Sequence, residues 1–120
     1  MPTTKITLPP LADGERYLCG IVNADGSITH SILLPGDNDP ADWKTQTAWA
    51  KSIGGDLLNR AELVIAYETM PKEFKKQAYW SNTNYASAGW AWCQDFNVGD
   101  QYDLRQHNQL RARAVRRLVI

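Results

Sequence analysis

The order in which hydrophobic periodicities follow one another most constrains this chain. Alternating, β-branched stretches come first, two helical stretches follow, and the rest returns to a strand-like pattern with no further long helical run. Residues 16–22, RYLCGIV, and 28–34, ITHSILL, read as a β-hairpin, because Asn23-Ala24-Asp25-Gly26-Ser27 between them holds an Asp-Gly pair that tolerates positive φ. The loop PGDNDPAD then leads into a helix expected over about 40–53. Asp39 suits its N-cap, Pro40 its first position and Asp42 its first turn, while Gly54 stops it. Trp43, Thr47, Ala50 and Ile53 recur on one face of that helix. Asn59-Arg60-Ala61-Glu62 has capping-box spacing and opens a second helix, which carries Leu63, Val64, Ile65, Ala66, Tyr67 and Met70 before Pro71. Strands are expected at about 78–81, 89–97, 100–105 and 111–118, with a tight turn at Asn97-Val98-Gly99-Asp100. A parallel α/β fold needs strand–helix alternation throughout, and this order lacks it. The sequence therefore predicts an α+β domain in which two helices pack on one antiparallel sheet system.

A chain of 120 residues is the size of one domain, so a single core is expected over 1–120, preceded by an extended segment at 1–14. Thirteen basic and thirteen acidic side chains cancel, which argues against a dedicated nucleic-acid binder. Their distribution is uneven. Residues 1–56 carry four Lys/Arg against seven Asp/Glu, and residues 57–120 carry nine against six. The N-terminal MPTTKITLPPLADGE lacks a signal-peptide pattern and no apolar run approaches transmembrane length. Synthesis into the cytoplasm without membrane insertion is the expectation. Cys19 and Cys93 have no CxxC or Cys/His ligand spacing, so two buried free thiols are expected; a disulfide would require the fold to bring them together.

Several stretches then occur in a telling order: GGDLLNRAELVIAY (54–67), YWSNTNYASAGWAWCQDF (79–96), GDQYD (99–103) and RARAVRRL (111–118), with ILLPGD closing the hairpin. Together they resemble the short phage and prophage form of the Lcl C-terminal-like domain family, over about residues 15–118. The resemblance implies a compact C-type-lectin-like fold. Three positions depart from the family pattern: Asn82 replaces the second Ser of a "YWSST"-like strand, Cys93 a common aromatic, and Leu58 a Pro before the helix cap. The Glu-Pro-Asn and Trp-Asn-Asp motifs of calcium-dependent sugar binding are absent, so that activity does not carry over.

Among the aromatics, alternation in 89–97 sets Trp90, Trp92 and Phe96 on one face and Ala91, Cys93 and Asp95 on the other. Trp80, Trp92 and Trp43 are expected in the core, while Trp90 suits core or surface equally. In 111–118, Arg111, Arg113, Val115 and Arg117 share one face and Ala112, Ala114, Arg116 and Leu118 the other. Such guanidinium groups either brace the framework against the acidic N-terminal half or bind an anion. Asp37-Asn38-Asp39-Pro40-Ala41-Asp42 resembles the start of a calcium loop but lacks the Gly and Glu that such a loop needs, so no metal is expected. Neither His30 nor His107 has a partner at catalytic spacing, and the cysteines do not match the pair of formylglycine-generating relatives. The expectation is no enzyme and no cofactor.

What remains is a binding surface on loops 82–90 and 97–109, whose Asn82, Asn84, Tyr85, Trp90, Asp100, Tyr102, Arg105, His107 and Asn108 form a recognition-type mixture. The ligand-binding set expected is Asn84, Tyr85, Trp90, Tyr102, Arg105, His107, Asn108 and Arg111. With the resemblance, this implies a non-catalytic phage or prophage recognition module, on the virion or not, that binds a host glycan or protein. The competing expectation is an intracellular accessory protein that binds and inhibits a bacterial protein; the oligomeric state stays open in both.

Overall fold

The Asp25-Gly26 pair turns the first hairpin as its residue types require: Gly26 sits at φ 87°, and Asp25 Oδ1 accepts from Ser27 N at 2.9 Å. The computed structural model describes residues 5–84 and 88–120. The hairpin strands are β1 (Arg16–Val22) and β2 (Ile28–Leu33), antiparallel with an irregularity between Tyr17 and Cys19. Next come β3 (Asn38–Ala41), α1 (Trp43–Ser52), β4 (Asp56–Leu57) and α2 (Arg60–Thr69). A single 3-10 turn at Pro71–Glu73 precedes β5 (Ala78–Asn84), β6 (Trp90–Asp95), β7 (Gln101–Arg105), β8 (Leu110–Ala112) and β9 (Ala114–Val119). The architecture is α+β, with two helices and nine strands among the described residues.

The strands form two sheets rather than one system: β1-β2-β9-β4, and β3-β8-β5-β6-β7. The second is not purely antiparallel, since β5 and β8 run parallel where Tyr79 lies beside Arg111. The expected strand 111–118 is divided because Arg113 breaks it. Its guanidinium turns inward, Nη2 donating to the Leu34 carbonyl at 2.8 Å and Nη1 to the Glu73 carbonyl. One continuous segment thereby serves both sheets.

The first helix also starts later than Asp39 suggested. Asp42 is its N-cap, Oδ1 accepting from Thr45 N at 2.7 Å. Residues 38–41 instead pair with β8, Asn38 opposite Ala112 and Ala41 opposite Leu110. Pro40 is tolerated there because β3 is an edge strand. The second cap follows the sequence: Asn59 Oδ1 accepts from Glu62 N, and Glu62 Oε1 accepts from Asn59 N, both at 2.8 Å.

Two apolar clusters fill the interior. The first, beneath α2, joins Leu18, Leu33, Leu63, Val115 and the aromatics Phe74, Tyr79 and Phe96, with Phe74 stacked on Phe96 at 4.2 Å. The second, beneath α1, joins Leu34, Ala50, Leu57, Trp80, Ala91 and Cys93, with Trp43 and Trp49 packed against it. Trp80 is fully buried and donates Nε1–H to the Ala41 carbonyl at 3.1 Å; half-buried Trp43 donates to the Ser81 carbonyl at 2.9 Å.

Trp92 departs from expectation. The buried face of β6 toward α1 is Ala91 and Cys93, and Trp92 is only half-buried on the other side, under the Arg60 guanidinium at 3.7 Å from its ring centroid. Small residues are what the α1 side can hold, since Trp80 and Trp43 already occupy it. Cys19 and Cys93 are free thiols, half-buried and buried respectively. No helix of the described residues is long and apolar enough to cross a membrane.

Candidate functional site

The C-terminal arginines are largely consumed by the framework. Arg111 is buried, with Nε donating to Asp37 Oδ1 at 2.7 Å and Nη2 to Asp39 Oδ1 at 3.2 Å; Tyr79 OH donates to the same Asp37. Burial first, and then the bond to Asp37, pushes the Tyr79 phenol up to about 12. Arg116 holds Glu15 through Nη2 and Nε at 2.8 and 2.9 Å. Arg117 binds Glu62 and Asp56. The acids of residues 1–56 thus meet the basic last strands, and Asp37 and Asp39 are held by Arg111 rather than lining a cation loop. Among the described residues no group of His, Cys, Asp and Glu is placed to hold a metal.

A cleft of about 370 Å³ opens where the start of α1 meets the loop after β7, lined by Asp42, Lys44, Gly89, Arg105, Gln106 and His107. Gln106 builds its floor. Its N–H donates to the Gly89 carbonyl at 2.8 Å, and its own carbonyl accepts from Trp43 N at 3.0 Å. Its side-chain Nε2 donates to the Trp90 carbonyl at 3.0 Å and reaches Asn84 Oδ1 at 3.4 Å. One residue thereby locks together the ends of β5, β6 and β7 and the first turn of α1.

Arg105 stands opposite Trp90 in the β6–β7 ladder, its guanidinium carbon 4.9 Å from the Trp90 ring centroid. Asn108 returns to its backbone, N and Nδ2 both donating to the Arg105 carbonyl at 3.0 Å. The Trp90 ring thus orients the guanidinium and the Asn108 bonds fix the backbone beneath it, while the side chain stays exposed. Asp42 carries the cap bond described above, and that hydrogen bond from Thr45 lowers its pKa, with Lys44 adding a smaller effect.

Of the expected ligand-binding residues, the structure brings Asn84, Trp90, Arg105, His107 and Asn108 around this cleft and its floor. Exposed His107 lines the cleft itself. Tyr85 lies outside the described residues. Tyr102 is not with the others: it sits on the opposite face of β7, half-buried against the second cluster, and burial raises its phenol to about 12. Arg111 is likewise elsewhere, buried on Asp37. Sequence reasoning missed Asp42, Lys44 and Gln106 as lining. Asp42 was read only as a helix-start residue, and nothing local to it or to Lys44 indicates that the Trp43 N–H meets the carbonyl of Gln106.

No family model matches the chain, and no curated protein matches it.

Proposed function

We propose that this protein is a non-catalytic recognition module, of C-type-lectin-like character and phage or prophage origin, that binds a host ligand through the cleft at the ends of β6 and β7. The observation that carries this reading is the cleft itself. Its wall residues are fixed by Gln106 and Asn108, whereas Arg105, Lys44 and His107 stay exposed in its lining. A fixed backbone under exposed polar side chains suits recognition, because little backbone ordering entropy is then lost on binding. The lining supplies cationic donors and one carboxylate; His107 meets no nucleophile and no orienting carboxylate among the described residues, which favours binding over acid–base chemistry.

A glycan array and a pull-down from host lysate, run in parallel with wild type and the triple variant Trp90→Ala/Arg105→Ala/His107→Ala, test the reading. The variant should lose the partner, and the double variant Arg105→Ala/His107→Ala, confined to exposed side chains, should weaken it with a melting temperature close to wild type. A partner retained equally by both proteins would move the working surface away from this cleft. Mass spectrometry of purified particles then separates a virion-borne module from an intracellular accessory protein.

A further inference from the structure

Six of the seven arginines give their guanidinium to an acceptor inside the fold, as Arg111 does to Asp37 and Arg116 to Glu15. Arg105 is the seventh. Among the described residues its guanidinium meets the Trp90 ring and no carboxylate or carbonyl, although it lines a cleft with Lys44. Lys44, exposed in the same wall, forms no salt bridge among the described residues. An arginine positioned over a ring yet without an acceptor among the described residues, in a fold that pairs the other six, marks a place for an acceptor from outside.

The third charged group narrows its chemistry. Asp42 lines the cleft and accepts at Oδ1 from the Thr45 N–H, with the Thr45 side chain also bonded to it, and a carboxylate has acceptor capacity beyond these two. Arg105, Lys44 and Asp42 together carry a single net positive charge. A dianion such as phosphate would set more negative charge beside Asp42, a neutral sugar would leave Arg105 and Lys44 unmatched, and an acidic peptide could answer Asp42 with its N–H groups only by ordering a flexible backbone, whereas a sugar acid carries carboxylate and hydroxyls on one rigid ring. We infer that the cleft binds an acidic sugar, its carboxylate on the Arg105 fork and Lys44 and a ring hydroxyl donating to Asp42. This rests on the recognition reading above and names the ligand class of that same site.

The test is calorimetric titration of the full chain with four probes: glucuronate, glucose, inorganic phosphate and an aspartate-rich peptide. Wild type should bind glucuronate in preference to the other three. Arg105→Ala should weaken glucuronate binding roughly ten- to hundredfold, the value of charge-assisted hydrogen bonds. Arg105→Lys should fall between the two, since it keeps the charge and loses the planar fork. Because Arg105 is exposed, neither variant should change the melting temperature. No glucuronate binding, equal binding of glucose, tighter binding of phosphate or of the peptide, or an unchanged Arg105→Ala titration would each overturn the inference. A neutral glycan lost in the cleft variants would overturn the acidic-sugar assignment while leaving the recognition module standing. The absence of any ligand sensitive to those variants would remove both.

Discussion

Arg117 and Glu62, fifty-five residues apart in the chain, meet as a two-pronged ion pair, Nη2 to Oε1 at 2.6 Å and Nε to Oε2 at 2.9 Å. Glu62 is only 1% exposed, and the same carboxylate closes the α2 capping box and accepts from Ser31 Oγ. Arg117 also reaches Asp56, so one guanidinium joins β9, β4 and the start of α2. Arg117→Ala should therefore destabilise the domain by about 3–5 kcal/mol, chiefly because it strands a buried charge. Urea unfolding measures this. Arg117→Met combined with Glu62→Gln should recover part of the loss, since no buried charge is left unpaired, half-exposed Asp56 keeps its bond from Asn82, and the amide oxygen still accepts from Asn59 N. A double variant no more stable than the single one would refute the buried-charge account.

The tryptophans should separate by face. Trp80→Ala removes a fully buried ring and its bond to Ala41, with an expected cost of about 3–5 kcal/mol. Trp92→Ala removes a half-buried ring stacked under Arg60 and should cost only roughly 1–2 kcal/mol. Equal losses in chemical denaturation would place Trp92 in the core after all.

Acid should loosen the N-terminal segment first. Glu15 is held at about 2, mainly by the Arg116 side chain and then by the Ala12 N–H, against an ordinary value of 4.5. A carboxylate whose folded pKa is depressed contributes stability above its unfolded value, and that contribution drains away as pH falls from about 4.5 toward 2. Glu15→Gln should therefore melt below wild type at neutral pH, and the two melting curves should converge in that acid window. Parallel curves across the window would show that the Glu15–Arg116 pair carries no linkage.

Thiol labelling should be ordered. Burial pushes Cys93 up to about 12, and burial together with the Glu62 charge raises half-buried Cys19. In native protein at neutral pH, maleimide should modify Cys19 slowly and Cys93 only after unfolding. Native Cys93 reacting at the unfolded rate would contradict its placement beneath α1.

The hairpin, the α2 capping box and the strand positions near 78, 90 and 101 were legible because each depends on residues close in sequence: an Asp-Gly turn, an Asn-x-x-Glu cap, an alternating run. The start of α1 was not. Asp39 and Asp42 both make sound caps locally, and the choice fell to Asp42 only because residues 38–41 found β8 and Asp37 and Asp39 found Arg111. The same holds for Arg113, whose inward turn onto Leu34 and Glu73 splits a run that alternates well as one strand.

The candidate site divides in the same way. That Trp90, Arg105 and His107 lie near one another follows from the strand order alone, since a short turn between β6 and β7 must place the start of one beside the end of the other. Which face each residue takes did not follow: alternation puts Trp90 and Trp92 together but cannot say whether that face meets a helix or water. Packing decided it, because Trp80 and Trp43 filled the α1 side and left room there only for Ala91 and Cys93. Local rules therefore set the elements and their order, while the pairing of residues sixty and more apart, Trp43 with Gln106 and Arg111 with Asp37, set the cleft and the charges left open in it. Such pairs gain their energy only when the whole chain closes, and no window of sequence contains both partners.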